Sequence, residues 1–416
     1  MNSGSRNIFE KFLGMNPEIG RIKGALEPSF LPQRLPHREA EMERIAQILS
    51  PALNGIRPSN ILIFGKPGVG KTSTIKFVER ELTNIINSKY DTKVKVININ
   101  CGINDNSYSI LATMGNSLLY SWEEKFPFTG WPMDKLFTSV LEKIENLGGV
   151  IILILDEVDK LVKKSGDSVL YQLLRINEIS ANGKISLIGI SNDLKFMDYL
   201  DPRVKSRLQE ETIVFHPYNA TEIFDILKDR VIFAGIYDLI DEPVLRLAAA
   251  IGAQENGDAR RAIDLLRVAY EISVMKKSSK ITEECIYEAR DRLEQDVFRE
   301  IISSLPLHNK VVLYSISLLK NFKGTGKITS GECYELYGKA VRKIGLTPLT
   351  NRRVNDLISE LDKMGIISTE VQSFGRYGRT TVIQLNYDPD LIMKLLEVDE
   401  AMSPLATVKP DQKPLF

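Results

Sequence analysis

The chain has 416 residues, 43% of them hydrophobic and 26% charged, with 54 basic against 54 acidic side chains, which describes a globular protein too long for one ordinary core and predicts two to four domains. No apolar run reaches 18 residues, Met1 to Arg6 lack an apolar signal core, and Cys101, Cys285 and Cys333 are scattered without Cys-x-x-Cys spacing; this argues against a spanning helix or membrane partner, export, disulfides and structural zinc, and for a reducing cytoplasm. The formal net charge of zero hides an asymmetry: residues 306–385 carry 12 Lys/Arg against 6 Asp/Glu, a basic module on an acidic body, as expected where one module meets a polyanion.

In chain order, a helical arm with Ile8, Phe9, Phe12 and Leu13 is followed by a Pro-rich stretch from Pro28 to Pro36. Leu35-Pro36-His37-Arg38-Glu39 then leads into an amphipathic helix carrying Met42, Ile45, Ile48 and Leu49. Over residues 60–216 apolar strands alternate with helices: Ile61–Phe64, Val94–Ile99, Val150–Leu155, Ile185–Ile190 and Thr212–Phe215. Such alternation predicts an α/β domain whose parallel sheet is covered on both faces. The expected domains are 1–217 for this α/β part with its arm, 218–295 for an all-helical bundle, 296–400 for helices followed by a hairpin, and a flexible tail over 401–416 with Pro404, Pro410 and Pro414.

The strand Asn60–Phe64 runs into Gly65-Lys66-Pro67-Gly68-Val69-Gly70-Lys71-Thr72, with Ser73 next, and out into a helix with Ile75, Val78, Leu82 and Ile85 on one face. This is G-x-x-x-x-G-K-[ST] in its required strand–loop–helix setting. The backbone N–H groups of such a loop cradle the β- and γ-phosphates of a nucleoside triphosphate. Lys71 would pair with those phosphates, and the Thr72 hydroxyl would ligate Mg²⁺.

The run Val150–Leu155 ends in Asp156-Glu157, 85 residues after Lys71. Asp156 would hold Mg²⁺ and Glu157 would polarise the attacking water. Ser191-Asn192-Asp193 ends the following strand, and an amide there can hold the same water. Arg207, at the end of a short helix in Ser206-Arg207, can project to a nucleotide held by a neighbouring subunit. Arg260, in Gly257-Asp258-Ala259-Arg260, opens a helix in the all-helical region and can reach back to the γ-phosphate.

The C-terminal region supplies the three helices and hairpin of a winged helix. Asn309–Leu319 suits a buried first helix; Thr329-Ser330-Gly331-Glu332 is a capping box for a second, which Gly345 ends; Thr347-Pro348 is read as the start of a third. The exposed side of the third offers Asn351, Arg352, Arg353 and Asn355, side chains suited to purine edges or phosphates of duplex DNA. Strands Ile366–Val371 and Thr380–Leu385 would pair across a tip carrying Arg376, Tyr377 and Arg379, suited to a minor groove.

The ordered set of phosphate loop, Asp-Glu strand, strand-tip Asn, Ser-Arg helix and Gly-Asp-x-Arg helix resembles the AAA+ ATPases. With Leu35–Glu39, the Pro58–Lys66 approach, Pro217-Tyr218-Asn219-Ala220 and the winged helix, the chain looks like the archaeal replication initiators, similar to the eukaryotic origin recognition complex and the related cell-division-cycle loader. The resemblance implies an ATP-regulated binder of double-stranded origin DNA whose slow hydrolysis to ADP acts as a switch. It also implies the replicative helicase and initiator paralogues as partners. It places Tyr218 and Arg230 near the adenine and phosphates, and makes residues 103–132 an insertion that touches DNA. Phe126-Pro127-Phe128-Thr129-Gly130-Trp131 in that insertion has a superficial likeness to the Phe-Thr-Gly loop of transcription-activating AAA+ proteins, but its flanking prolines and its place argue against that role. The rival readings are a remodeller or clamp-loader ATPase and a winged-helix transcription regulator in which nucleotide is structural.

Overall fold

The computed structural model describes residues 22, 24–27, 30–88, 93–120, 124–373 and 379–408; the expected helical arm around Phe9 and Phe12 lies outside them. The chain forms two compact units, Met1–Ala289 and Arg290–Phe416. No helix among the described residues is long and apolar enough to cross a membrane.

The first unit is built on five parallel strands, β1 (Ile61–Phe64), β2 (Val94–Asn100), β3 (Val150–Asp156), β4 (Lys184–Ser191) and β5 (Glu211–Val214), in the order β2-β3-β4-β1-β5. Strand sequences such as Val-Ile-Ile-Leu-Ile-Leu are apolar on both sides because helices cover both faces. Leu62, Phe64, Leu153, Leu155 and Leu187 point into one core, with the helices Ser107–Leu118, Met133–Leu147 and Ser168–Ile179. Ile61, Ile63, Ile152, Ile154 and Ile188 point into the other, with the helices Glu39–Leu49 and Lys71–Ser88.

Within 103–132, Asn106 caps the helix Ser107–Leu118 through a reciprocal box with Ser109. The Asn116 amide accepts from the Phe126 N–H (2.8 Å) and donates to its carbonyl (3.1 Å), so Phe126 is buried while Phe128 stays 58% exposed. After the sheet, Asn219 and Glu222 form a capping box for Ala220–Ala234, and Glu242–Gln254 and Ala259–Met275 complete a helical lid.

In the second unit the helices Leu307–Lys323, Ser330–Lys343 and Asn351–Lys363 pack on an antiparallel sheet of β6 (Ile328–Thr329), β7 (Ile367–Ser373) and β8 (Arg379–Leu385), ordered β6-β8-β7. The Thr329–Glu332 capping box is present. Two expectations are corrected. The third helix opens at Asn351, not at Thr347-Pro348. Leu349 gives its N–H to the Tyr337 hydroxyl and its carbonyl accepts from the Tyr334 hydroxyl, both at 3.3 Å, so its backbone is held outside the helix. The tail is also not loose where it is described: Glu400–Thr407 forms a 3-10 helix, and Met402, Leu405 and Val408 are buried in the winged-helix core. Apolar side chains three residues apart are enough to dock it, with the Tyr314 hydroxyl donating to the Leu405 carbonyl at 2.7 Å. Arg376 and Tyr377 lie outside the described residues; Arg379 opens β8 opposite Ser373, its side chain undescribed.

Candidate nucleotide site and DNA-reading module

Strand order creates the site. β4 lies between β1 and β3, with Phe64 beside Ser191 and Ile190 beside Asp156. The carboxyl ends of the three strands therefore meet at one edge, where α/β sheets bind ligands. The phosphate loop leaves β1 there. Gly68 (φ +76°) and Gly70 (φ +90°) adopt backbone angles that L side chains rarely take. A Cβ on Gly70 would meet the Tyr218 hydroxyl at 2.6 Å, so the loop also needs the missing side chain for space.

Lys71 is 5% exposed and opens the helix after the loop. Its ammonium donates to the Gly65 and Lys66 carbonyls at 2.7 and 2.8 Å and to Asn192 Oδ1 at 2.7 Å. Burial, with Arg260 as a second cause, lowers its pKa to about 8. The Thr72 hydroxyl donates to Asp156 Oδ2 at 3.0 Å. Burial holds the Asp156 carboxyl above the usual carboxylate range.

Glu157 stands in the left-handed region (φ +58°), a strained conformation for a residue with a side chain. Its N–H donates to Asp156 Oδ1 (3.0 Å), and its carboxylate pairs with Lys160 at 2.8 Å. Asp159, which the sequence reading passed over, is buried and accepts from the Ser191 hydroxyl (3.1 Å) and the Asn192 N–H (3.2 Å). It fixes the strand tip that aims Asn192 at Lys71. Its signal was available: a third acid, three residues after Asp156, in the first turn of the helix Val158–Ser165 that follows the strand.

The lid closes over the other side. Asp258 caps Ala259–Met275 and accepts from the Arg260 and Arg261 N–H groups, and its carboxylate sits where a Gly68 side chain would be. The Ala259 N–H donates to the Gly68 carbonyl (3.3 Å) and Lys66 Nζ to Asn256 Oδ1 (3.0 Å). A cavity of about 290 Å³ is lined by Gly68, Gly70 and Ser73 from the loop region and by Tyr218, Arg230 and Arg260 from the lid side, among others. Phe30 and Phe233, with ring centres 4.9 Å apart, give it an apolar end. Arg230 lines this cavity but gives its guanidinium to the Ala25 and Phe30 carbonyls at 3.1 and 2.9 Å; burial lowers its pKa to about 10.

Arg207 stands apart from this cluster. Asn60 Nδ2 donates to its carbonyl (2.9 Å), its guanidinium pairs with Glu178 at 2.7 Å, and Nη1 is buried without a hydrogen-bond partner among the described residues.

In the second unit Asn351, Arg352, Arg353 and Asn355 are all exposed on the third helix. Thr350 caps it, and Asn355 Nδ2 donates to Asn351 Oδ1 at 2.9 Å. Arg353 is shared between Asp356 (3.8 Å) and Glu360 (3.6 Å).

The residues fit a nucleoside triphosphate with a divalent cation. No group of three or more His, Cys, Asp or Glu able to hold a metal unaided is found among the described residues, so the Thr72–Asp156 pair would share the ion with phosphate oxygens, as Mg²⁺ prefers. The glycine cradle and the buried ammonium supply the anion site.

Fold and site together define an AAA+ P-loop ATPase with a helical lid, followed by a winged helix. The model of the ATPase family associated with various cellular activities matches residues 61–215, that of the Cdc6 AAA+ ATPase-type lid domain residues 224–291, and that of the CDC6 C-terminal winged helix domain residues 300–395. The chain is 46% identical over 402 residues to the ORC1-type DNA replication protein of Thermococcus kodakarensis, covering 97% of this chain and 96% of that protein. It is 43% identical over 409 residues to ORC1-type DNA replication protein 1 of Archaeoglobus fulgidus, covering 98% of each. The structure of the Aeropyrum pernix ORC1 protein in complex with DNA is similar at 37% identity and a TM-score of 0.76, covering 92% of this chain and 98% of that one. The chain belongs to the ORC1/Cdc6-type family of DNA replication proteins.

Proposed function

We propose that this protein recognises duplex DNA at a replication origin through its winged helix and the 103–132 insertion, and that ATP turnover at the Lys71 site switches the state in which it helps recruit the replicative helicase. The observation that carries the reading is the convergence of Lys71, Thr72, Asp156, Glu157 and Asn192 at one sheet edge, in a chain whose relatives include an ORC1 protein solved with DNA.

Bound Mg–ATP would supply the γ-phosphoryl group and the cation that neutralises it. Lys71 and the loop N–H groups hold phosphate charge, Thr72 and Asp156 hold the cation, and Asn192 fixes the water. Glu157 Oε takes that water's proton. Arg260, in the first turn of the lid helix Ala259–Met275, links nucleotide state to lid position, and Tyr218 and Arg230 border the base. Arg207 acts only across an interface between assembled subunits. The Glu157 carboxylate is engaged by Lys160, and a pair that must open before the water can give up its proton would keep hydrolysis slow.

A footprint on genomic fragments at physiological salt, with ATP and with ADP, tests the reading. Protection of a few discrete sites that differs between the nucleotides supports it. Uniform, salt-labile protection rejects origin recognition in favour of a remodelling ATPase.

A further inference from the structure

Arg38 is 5% exposed, and its guanidinium is shared among three separate pieces of backbone. Nε donates to the carbonyl of Val69 in the phosphate loop (3.0 Å), Nη2 to the carbonyl of His216 at the start of the lid (2.7 Å), and Nη1 to the His37 carbonyl (3.1 Å) and the Glu41 carboxylate (3.2 Å). The guanidinium carbon lies 3.9 Å from the centre of the Tyr218 ring, whose hydroxyl in turn closes on Gly70. The chain reaches this position through His37, itself in the left-handed region at φ +63° and paired with Asp225 of the lid at 2.8 Å. A buried cation is retained only where such partners satisfy it. Here the partners are the two elements that must move together if a phosphate in the loop is to reset the lid.

We propose that Arg38 is the positioning residue that transmits the state of the phosphate loop to the lid hinge; this rests on the nucleotide-switch reading above. The planar fork donates in three directions while stacking on Tyr218, which a lysine cannot do with one flexible ammonium. Arg38→Lys therefore keeps the charge and the loop's own ligands but breaks the linkage. Phosphate binding remains local to the loop, and the lid no longer responds.

The test compares hydrogen exchange of lid peptides from 218–275 in the full-length chain, with Mg–ADP and with a non-hydrolysable Mg–ATP analogue. The wild type is expected to protect the lid differently in the two states. Arg38→Lys is expected to bind both nucleotides within about tenfold of wild type while losing most of that difference. If Arg38→Lys does not fold, Arg38→Met, which fills much of the same space without burying a charge and removes the guanidinium's carbonyl links, is judged by the same criterion. A variant that retains the full wild-type difference overturns the role of Arg38 and leaves the switch intact. A wild type whose lid protection is the same in both nucleotides overturns the switch and this proposal together.

Discussion

The Lys71 ammonium donates to the Asn192 amide oxygen at 2.7 Å, joining the phosphate loop to the tip of β4 through one proton-bearing atom. That proton is weakly held, since burial lowers the Lys71 pKa from 10.5 to about 8. Nucleotide binding needs the ammonium, so affinity should be flat below about pH 7 and fall by up to about tenfold per pH unit above 8. Stability moves the other way. The unfolded chain holds this proton up to about pH 10.5 and the folded chain releases it near 8, so wild-type stability relative to Lys71→Met should rise across that window. Fluorescent-nucleotide titrations and paired melts from pH 6 to 10 check both; affinity unchanged from pH 8 to 9.5 would show that Lys71 does not carry the binding.

Glu157 and Lys160 give a second prediction. Glu157→Gln should bind ATP normally and lose hydrolysis by about 10² to 10⁴, the usual worth of a general base. Lys160→Met should raise single-turnover hydrolysis several-fold, because it frees the carboxylate held at 2.8 Å. Equal rates in wild type and Lys160→Met would remove the ion pair as the brake.

Gly68 separates loop chemistry from lid packing. An added methyl would sit at φ +76° and collide with the Asp258 carboxylate, so either the loop or the N-terminal turn of the lid helix Ala259–Met275 must give way. Gly68→Ala should fold, since the two sheet cores are untouched, yet lose most nucleotide affinity. Calorimetry that found wild-type affinity would mean the loop–lid contact is dispensable.

These residues were not equally legible in the sequence. The phosphate loop, the Asp156-Glu157 strand end and the five strands could be read directly because local pattern dictates them: β-runs that are apolar on both faces, and glycines at fixed spacing. Asn192 was legible as a strand tip, but its distance to Lys71 was not. That distance depends on β4 inserting between β1 and β3, a long-range choice on which local pattern is silent. Arg38 and Asp159 were passed over for the same reason: each looks like one more charge on a helix until the fold buries it. The start of the third winged-helix helix was misread because Thr347-Pro348 is a sound local signal overridden by two tyrosine hydroxyls twelve and fifteen residues away. The tail was misread because proline content outweighed the apolar Met402, Leu405 and Val408.

One of those tyrosines gives a prediction for DNA binding. Tyr337 is fully buried, and its hydroxyl meets His308 Nδ1 at 2.8 Å as well as the Leu349 N–H. Tyr337→Phe removes that hold on the segment entering the third helix with little change in packed volume. The expected result is a small stability loss, on the order of 1 kcal/mol, with a larger relative loss of site-specific than of nonspecific DNA binding. Loss of both in equal proportion would show that the hydroxyl serves stability alone.

Within that helix Arg352 and Arg353 should not be equivalent. Arg353 is shared by Asp356 and Glu360, so its charge is partly neutralised and its side chain must be withdrawn from them before it can meet a phosphate or a base. Arg352→Ala should therefore cost more DNA affinity than Arg353→Ala. If Arg352 contacts a phosphate, the loss should be uniform across sequences and reduce the salt slope by about one; if it pairs with a guanine edge, the loss should be about 1–3 kcal/mol and confined to the cognate site. Arg376→Ala with Arg379→Ala should flatten the salt dependence further. Binding isotherms over a salt series, on cognate and scrambled duplexes, separate these cases. Arg352→Ala binding as tightly as wild type at every salt concentration would exclude this face of the helix as the DNA-reading surface.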